Sequence, residues 1–237
     1  MNLSGDQTDM AFYRYGYGDW SAPCWFLGTE EESHPDEGSD LNERIKVWRA
    51  LGSRDLDDCM LFLPELTHLL KLKNKMQDED AIVNPTWTKL QLVLRAYWGI
   101  AESTLNHKSR LQFQNERWGR HGGISCIVHL SGLAATDANR DLPADLFRKE
   151  RFAILREKIF SHHPQFVVMY GMTRNDSLEN FSEYSEKIPR ADTALAKFRK
   201  VENTIFALTP HPTVFGTTSD DWIELGETLR RLVNASS

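Results

Sequence analysis

An α/β fold, with a central, mostly parallel four-stranded sheet and helices on both faces, is what this 237-residue sequence predicts. Three observations predict it. Short apolar runs of strand length recur at residues 25–27, 124–130, 166–170 and 204–208. Longer segments between them place apolar residues three and four apart, the helical period. Polar residues gather directly after the strand runs, and in open α/β sheets the ligand crevice lies outside the carboxyl ends of the strands.

Composition agrees with one domain spanning residues 1–237, long enough to bury a sizeable core without disulfide or metal staples. The 41% apolar and 26% charged fractions are ordinary for a soluble protein and exclude a fibrous or disordered chain. Residues 1–8 lack the build of a signal peptide, and no run of 18 apolar residues occurs, so a cytoplasmic monomer with no membrane partner is expected. Cys24, Cys59 and Cys126 have none of the paired spacings of a zinc or iron–sulfur site. Buried, reduced thiols are therefore expected, with no metal and no other cofactor. A net charge of −6 argues against a generally basic surface but leaves room for a local patch that holds a phosphate backbone.

Residues 1–22 set Tyr13, Tyr15, Tyr17 and Trp20 among Gly16 and Gly18, which predicts an extended arm packing its aromatics on the domain. Trp25-Phe26-Leu27 then reads as a buried strand ended by Gly28 and followed at once by Thr29, Glu30, Glu31 and Glu32. From Glu30 to Glu43 there are seven acids, with only His34 as a counterweight, and that concentration needs a reason. A helix over residues 41–51 carries Ile45, Val47 and Trp48, with Ser39 or Asp40 as its cap and Gly52 as its stop. Residues 55–76 hold a leucine-rich helical stripe interrupted at Pro64, and residues 86–100 a second one; both read as core. Between His107 and His121, Lys108, Arg110, Arg117 and Arg120 surround Phe113 and Trp118, a loop that either contacts phosphates or is simply solvated.

The strand at 124–130 ends in His129 and Leu130, with Ser131 and Gly132 beyond. A helix follows at residues 144–161, then the strand 166–170, whose continuous apolar character suits a parallel strand covered on both faces. After basic Lys197, Arg199 and Lys200 comes the strand 204–208, with His211, Pro212 and Thr213 just past it. A last helix covers residues 220–233, capped at Ser219 or Asp220. Three of the four strand ends thus carry residues able to act on a ligand: Glu30, His129 with Ser131, and His211.

Taken in this order, residues 13–233 resemble the uracil-DNA glycosylase superfamily. The resemblance lies in the aromatic arm, the Gly28 strand end with its acid loop, the second strand ending in a base-reading polar residue, the apolar strand closed by Gly171, and His211-Pro212-Thr213 as a variant of His-Pro-Ser. Asn139-Arg140-Asp141-Leu142-Pro143 is similar to the Asn-Arg-x-x-Pro stretch of some branches. The family's first motif puts an acid or amide two residues after the glycine; that position is Glu30, without the usual proline after it. The iron–sulfur branches put an acid one residue after the glycine, where this chain has Thr29, and need four cysteines, so the resemblance is not to them.

The resemblance implies a three-layer α/β sandwich, DNA as partner and no cofactor. It also implies excision of a flipped-out base. Breaking an N-glycosidic bond builds positive charge on the sugar and negative charge on the departing base. A carboxylate serves the first need and a histidine donor the second, which suits Glu30, with Glu31 as the alternative acid, and His211. Gly28, Thr29 and either His129 or Ser131 would line the base pocket, with Trp48 able to stack unless it is ordinary helix core. Phe215 is placed as the apolar wedge, its alternative being a core residue. Pro212, Thr213, Gly216 and Thr217 would meet the backbone together with Asn139, Arg140, Arg117 and Arg120. Where uracil-specific relatives carry a tyrosine that rejects 5-substituents, this loop has Glu31 and Glu32. A 5-substituted pyrimidine such as hydroxymethylated or glucosylated cytosine of phage DNA is therefore a candidate beside uracil, in repair or in antiviral defence. Two other classes remain open: a metal-dependent nuclease using the acids of residues 30–36, and a non-catalytic module that binds modified bases or nucleotides.

Overall fold

The structure, a computed structural model, describes residues 3–31, 37–71, 84–100, 107–134, 147–172, 186–188 and 191–236. Among them are seven α-helices and eight strands in mixed parallel and antiparallel pairing, an α/β protein. The chain divides into two compact units. One comprises Met1–Ala22, Gly28–Ile82 and Arg117–His162; the other comprises Pro23–Leu27, Val83–Glu116 and His163–Ser237.

In the first unit, α1 (Gly5–Tyr13) stands where an extended arm was expected. The cause is local: Ser4 and Gln7 form a capping box, in which the Gln7 N–H donates to Ser4 Oγ and the Ser4 N–H donates to Gln7 Oε1 at 2.9 Å. The aromatic and glycine-rich residues come after it, in β1 (Gly16–Tyr17), which pairs antiparallel with β4 (Ser125–His129) and parallel with β3 (Leu56–Asp57). Gly16 has φ +146°, and a Cβ there would lie 2.1 Å from the Ile127 carbonyl oxygen, so only glycine allows β4 to approach this closely. Helix α2 (Glu37–Ala50) packs against α1 and against α3 (Cys59–Leu69), and α6 (Arg148–His162) completes the unit's helices. Helix α3 runs through Pro64, where an interruption was expected; the proline sits in the second turn and forfeits a single backbone hydrogen bond.

The second unit holds Cys24–Leu27 of β2 (Cys24–Gly28), together with β5 (Phe166–Tyr170) and β8 (Thr204–Thr209), paired in parallel with Cys24 opposite Phe166 and Phe166 opposite Ile205. These are the continuous apolar runs, and nearly all of their residues are buried, as expected of parallel strands covered on both faces. Two strands were not foreseen. β7 (Lys197–Val201) pairs antiparallel with β8, and β6 (Glu186–Lys187) pairs antiparallel with β7. A four-stranded, mostly parallel sheet is therefore corrected to eight strands in mixed directions. Strand β7 arises because Glu202, at φ +52°, and Asn203 turn the chain back in a two-residue hairpin, with Val201 facing Thr204.

Residues 107–121, expected as a loop, instead form α5 (His107–Arg117), which buries Leu111, Phe113 and Gln114. Gln114 accepts a hydrogen bond from Gln91 of α4 (Pro85–Tyr97) at 3.3 Å. Helix α4 lies closely against α7 (Ser219–Asn234), because Gly226 has no side chain to hold them apart. A Cβ at position 226 would stand 2.3 Å from the Val93 carbonyl oxygen. Gly226→Ala is accordingly expected to destabilise the protein by about 1–3 kcal/mol, as overpacking does. A lower urea midpoint would show it, whereas an unchanged midpoint would mean the helices part at no cost.

Candidate functional site

In the first unit the chain leaving β2 stays tied to the end of β4. The Gly28 carbonyl accepts the Leu130 N–H at 3.0 Å and the Thr29 carbonyl accepts the Ser131 N–H at 2.8 Å. Extended backbone alternates its side chains, so the next two carboxylates part company. Glu30 is exposed, with no hydrogen bond or ion pair among the described residues; Glu31 turns inward and is only 12% exposed.

Three donors from three separate elements surround Glu31. Arg14 Nη1 lies 2.9 Å from Oε2, Arg44 Nη1 lies 3.0 Å from Oε1, and the Tyr17 hydroxyl donates to Oε1. Each arginine has its own second acid: Arg14 Nε donates to Asp57 at 2.8 Å, and Arg44 Nε to Asp40, one turn before it on α2, at 2.9 Å. The Arg14 guanidinium also lies over the rings of Tyr17 and Phe62, at 4.8 and 4.3 Å.

Burial by itself would raise the Glu31 pKa, but Arg44 and Arg14 outweigh it and hold the carboxyl well below the usual range. The same burial works against both guanidiniums, and Glu31, with Tyr17 and the second acids, keeps them firmly protonated. His129, 4% exposed at the end of β4, goes the other way: burial lowers its pKa from 6.5 to about 4 against the pull of Glu31, so its imidazole is neutral at pH 7. Below it, the fully buried Arg151 donates to four carbonyls, those of Leu130 at 2.7 Å, His129 at 2.8 Å, and Ala11 and Phe12 at 3.0 Å. That one side chain satisfies the last carbonyls of α1 and fixes the end of β4.

In the second unit the strand ends carry a histidine. Thr213 donates its backbone N–H to His211 Nδ1 at 3.3 Å, and its Oγ1 lies 2.8 Å from the same nitrogen. An Nδ1 that accepts from an amide has no proton of its own, so neutral His211 carries its proton on Nε2. Gly171, at φ +66°, gives the ring its place: a Cβ there would sit 3.0 Å from His211 Cδ2. Pro212 is buried and anchors the turn, while His211 and Thr213 are exposed. Beyond them, Phe215 is fully exposed at the tip. Gly216, at φ +94°, bends the chain away, Thr217 Oγ1 donates to the Val214 carbonyl at 3.3 Å, and Thr218 opens α7 with a capping box to Asp221.

The other expected site residues fall as follows. Trp48 is core: it is 1% exposed and its Nε1 donates to the Arg54 carbonyl at 2.7 Å, so no face is open for stacking. Ser131 closes its own turn, donating to the Leu133 carbonyl at 2.9 Å. Arg120 is held by Asp58 at 2.8 Å, whereas Arg117 is exposed at the end of α5. Asn139 and Arg140 lie outside the described residues, as do Glu32, His34 and Asp36. Glu30 belongs to the first unit and His211 to the second.

Sequence reasoning missed Arg14, Tyr17, Arg44 and Arg151. A signal for the two arginines Arg14 and Arg44 was present. Seven acids between Glu30 and Glu43 call for buried cations, and Arg14 and Arg44 flank that stretch on either side. Among the described residues, no group of three or more His, Cys, Asp or Glu is arranged to hold a metal ion. No protein-family model matches the chain, and no match to it was found among curated proteins.

Proposed function

We propose that the protein is a DNA N-glycosylase, which turns a pyrimidine out of the stack and hydrolyses its glycosidic bond to leave an abasic site. The observation that supports this most is Phe215. A fully exposed phenylalanine on a short, glycine-terminated turn has no folding role, and apolar wedges of this kind enter the gap left when a base is extruded. It stands four residues after His211, whose Nε2–H is a donor suited to the oxygen of a departing base.

Of the two acids after Gly28, the exposed Glu30 is the one open to serve as the carboxylate that the resemblance assigns to the sugar. Glu31 is a poor choice for that step, since two guanidiniums and a phenol already occupy its oxygens; its role is to hold the loop that presents Glu30. The same saturation argues against Glu31 as a ligand of the nuclease alternative. The base is uracil or a pyrimidine enlarged at its 5-position.

The test uses DNAs bearing uracil, hydroxymethylcytosine or glucosylated hydroxymethylcytosine, with chelator present, an abasic-site probe and mass analysis of released bases. Release of one base is expected, slowed by about 100-fold in His211→Ala, the usual scale for a lost preorganised donor. Strand breaks that chelator abolishes would favour the nuclease, and binding without release would favour the non-catalytic module; either would overturn the glycosylase.

A further inference from the structure

Strand β7 carries cations on one face. Side chains alternate along a strand, so Lys197 and Arg199 share one face, while Phe198, fully buried, points to the other. Directly opposite Arg199 on β6 stands Lys187, a like charge on that same face. Like charges directly across a strand pair are destabilising. On the other face the pairing is complementary, with Glu186 opposite Lys200. None of Lys187, Lys197 and Arg199 has an ion pair or hydrogen bond from its side chain among the described residues. Asp192 accepts the Phe198 N–H at 2.9 Å between them, but among the described residues no carboxylate pairs with any of the three cations, and in a protein of net charge −6 that suits the face to an anion.

That face borders a cavity of about 450 Å³ within the second unit. Lys197 and Arg199 line it, with Met172, Leu195, Leu208 and Pro210 forming an apolar wall. An inorganic phosphate would leave most of this volume empty, whereas a nucleotide matches the size and mixed lining of small-molecule pockets. We propose that the cavity binds a nucleotide, its phosphate on Arg199 and Lys197 with Lys187 at the rim and its base and sugar on the Met172–Leu195–Leu208–Pro210 side. Free nucleotide and nucleotide within a DNA strand offer the same chemistry. The site uses none of the groups assigned to base excision and goes beyond that reading.

Calorimetric titration of the full chain with thymidine monophosphate, thymidine and a 12-residue oligothymidylate tests this, in the unmodified protein and in a Lys197→Gln/Arg199→Gln variant. Lys197 is exposed and Arg199 half-buried on β7, and an unchanged thermal midpoint checks that the variant is folded. The monophosphate is expected to bind at least 10-fold more tightly than thymidine, and the variant to lose at least 10-fold of that affinity. If the occupant is part of a strand, the oligonucleotide loses affinity as well, and the slope of its log affinity against log salt shallows by about 0.7, the value for one lost phosphate contact on a single strand. If only the monophosphate responds, the occupant is a free nucleotide. Absence of binding by any probe, or affinities the variant leaves unchanged, would overturn the site. Base release is read in a separate assay, so either reading can fail while the other stands.

Discussion

Glu31→Ala is expected to cost the protein about 3–5 kcal/mol of folding stability, the usual penalty for removing one partner of a buried ion pair. The expectation rests on what the substitution leaves behind. Arg14 and Arg44 are 3% and 6% exposed, and each keeps one acid, but the carboxylate that both share is gone. Two guanidiniums that were held apart by a negative charge then face each other in a medium that screens them weakly. Urea denaturation followed by circular dichroism reads the loss directly. Adding Arg44→Met to Glu31→Gln should recover part of it, since a pair replaced by apolar or neutral groups of similar volume is often nearly neutral. A loss below about 1 kcal/mol would place Glu31 with solvated surface pairs and remove its role as anchor. Glu30→Gln is the companion measurement: an exposed carboxylate without partners should leave stability within about 0.5 kcal/mol of the parent. Loss of base release in the Glu30 variant with stability intact, beside loss of stability in the Glu31 variant, would separate the acid that reacts from the acid that holds.

How far the sequence was legible follows from the range over which each signal acts. The runs that became β2, β5 and β8 were readable because burial on both faces makes a strand continuously apolar. Helices α4 and α7 were readable from their periods. β1, β3 and β6 are two residues long and have no period to read. β7 alternates correctly, but its three cations resemble a solvated loop until Glu202-Asn203 is recognised as a turn. Helix α1 was announced by Ser4 and Gln7, a signal hidden by the glycines that follow it. The chain positions of Gly28 at the end of β2 and His211 just past β8 were legible because position alone marks a strand end. That Glu31 turns inward while Glu30 stays exposed was not, because it depends on Arg14, 17 residues before Glu31, and on Arg44 from the helix that follows. No local pattern carries that pairing; only the acid excess of residues 30–43 hinted that cations had to arrive from elsewhere.

Acid should unfold the protein earlier than its carboxylates alone would require, and His129 is the reason. Its pKa is lowered from 6.5 to about 4 in the folded state, chiefly by burial, so the native protein binds fewer protons than the unfolded chain between those values. Stability contributed by the neutral ring is therefore fully present above pH 6.5 and is lost as the pH falls toward 4. The groups that face the imidazole do not reverse this. Glu31 favours the cation, but Arg14, Arg151 and Arg44 all oppose it. Glu31 itself stays ionised through the window, because its own pKa is held below the ordinary range, and its contribution is lost only at still lower pH. The interval from 6.5 to about 4, at about 1.4 kcal/mol per pH unit, amounts to about 3 kcal/mol. Urea unfolding measured from pH 7.5 to pH 4 should show that decline, and His129→Gln, which removes the titrating group but keeps a polar side chain, should flatten it. A variant whose stability still falls as steeply would assign the acid sensitivity to other groups and leave His129 able to accept a proton where it sits.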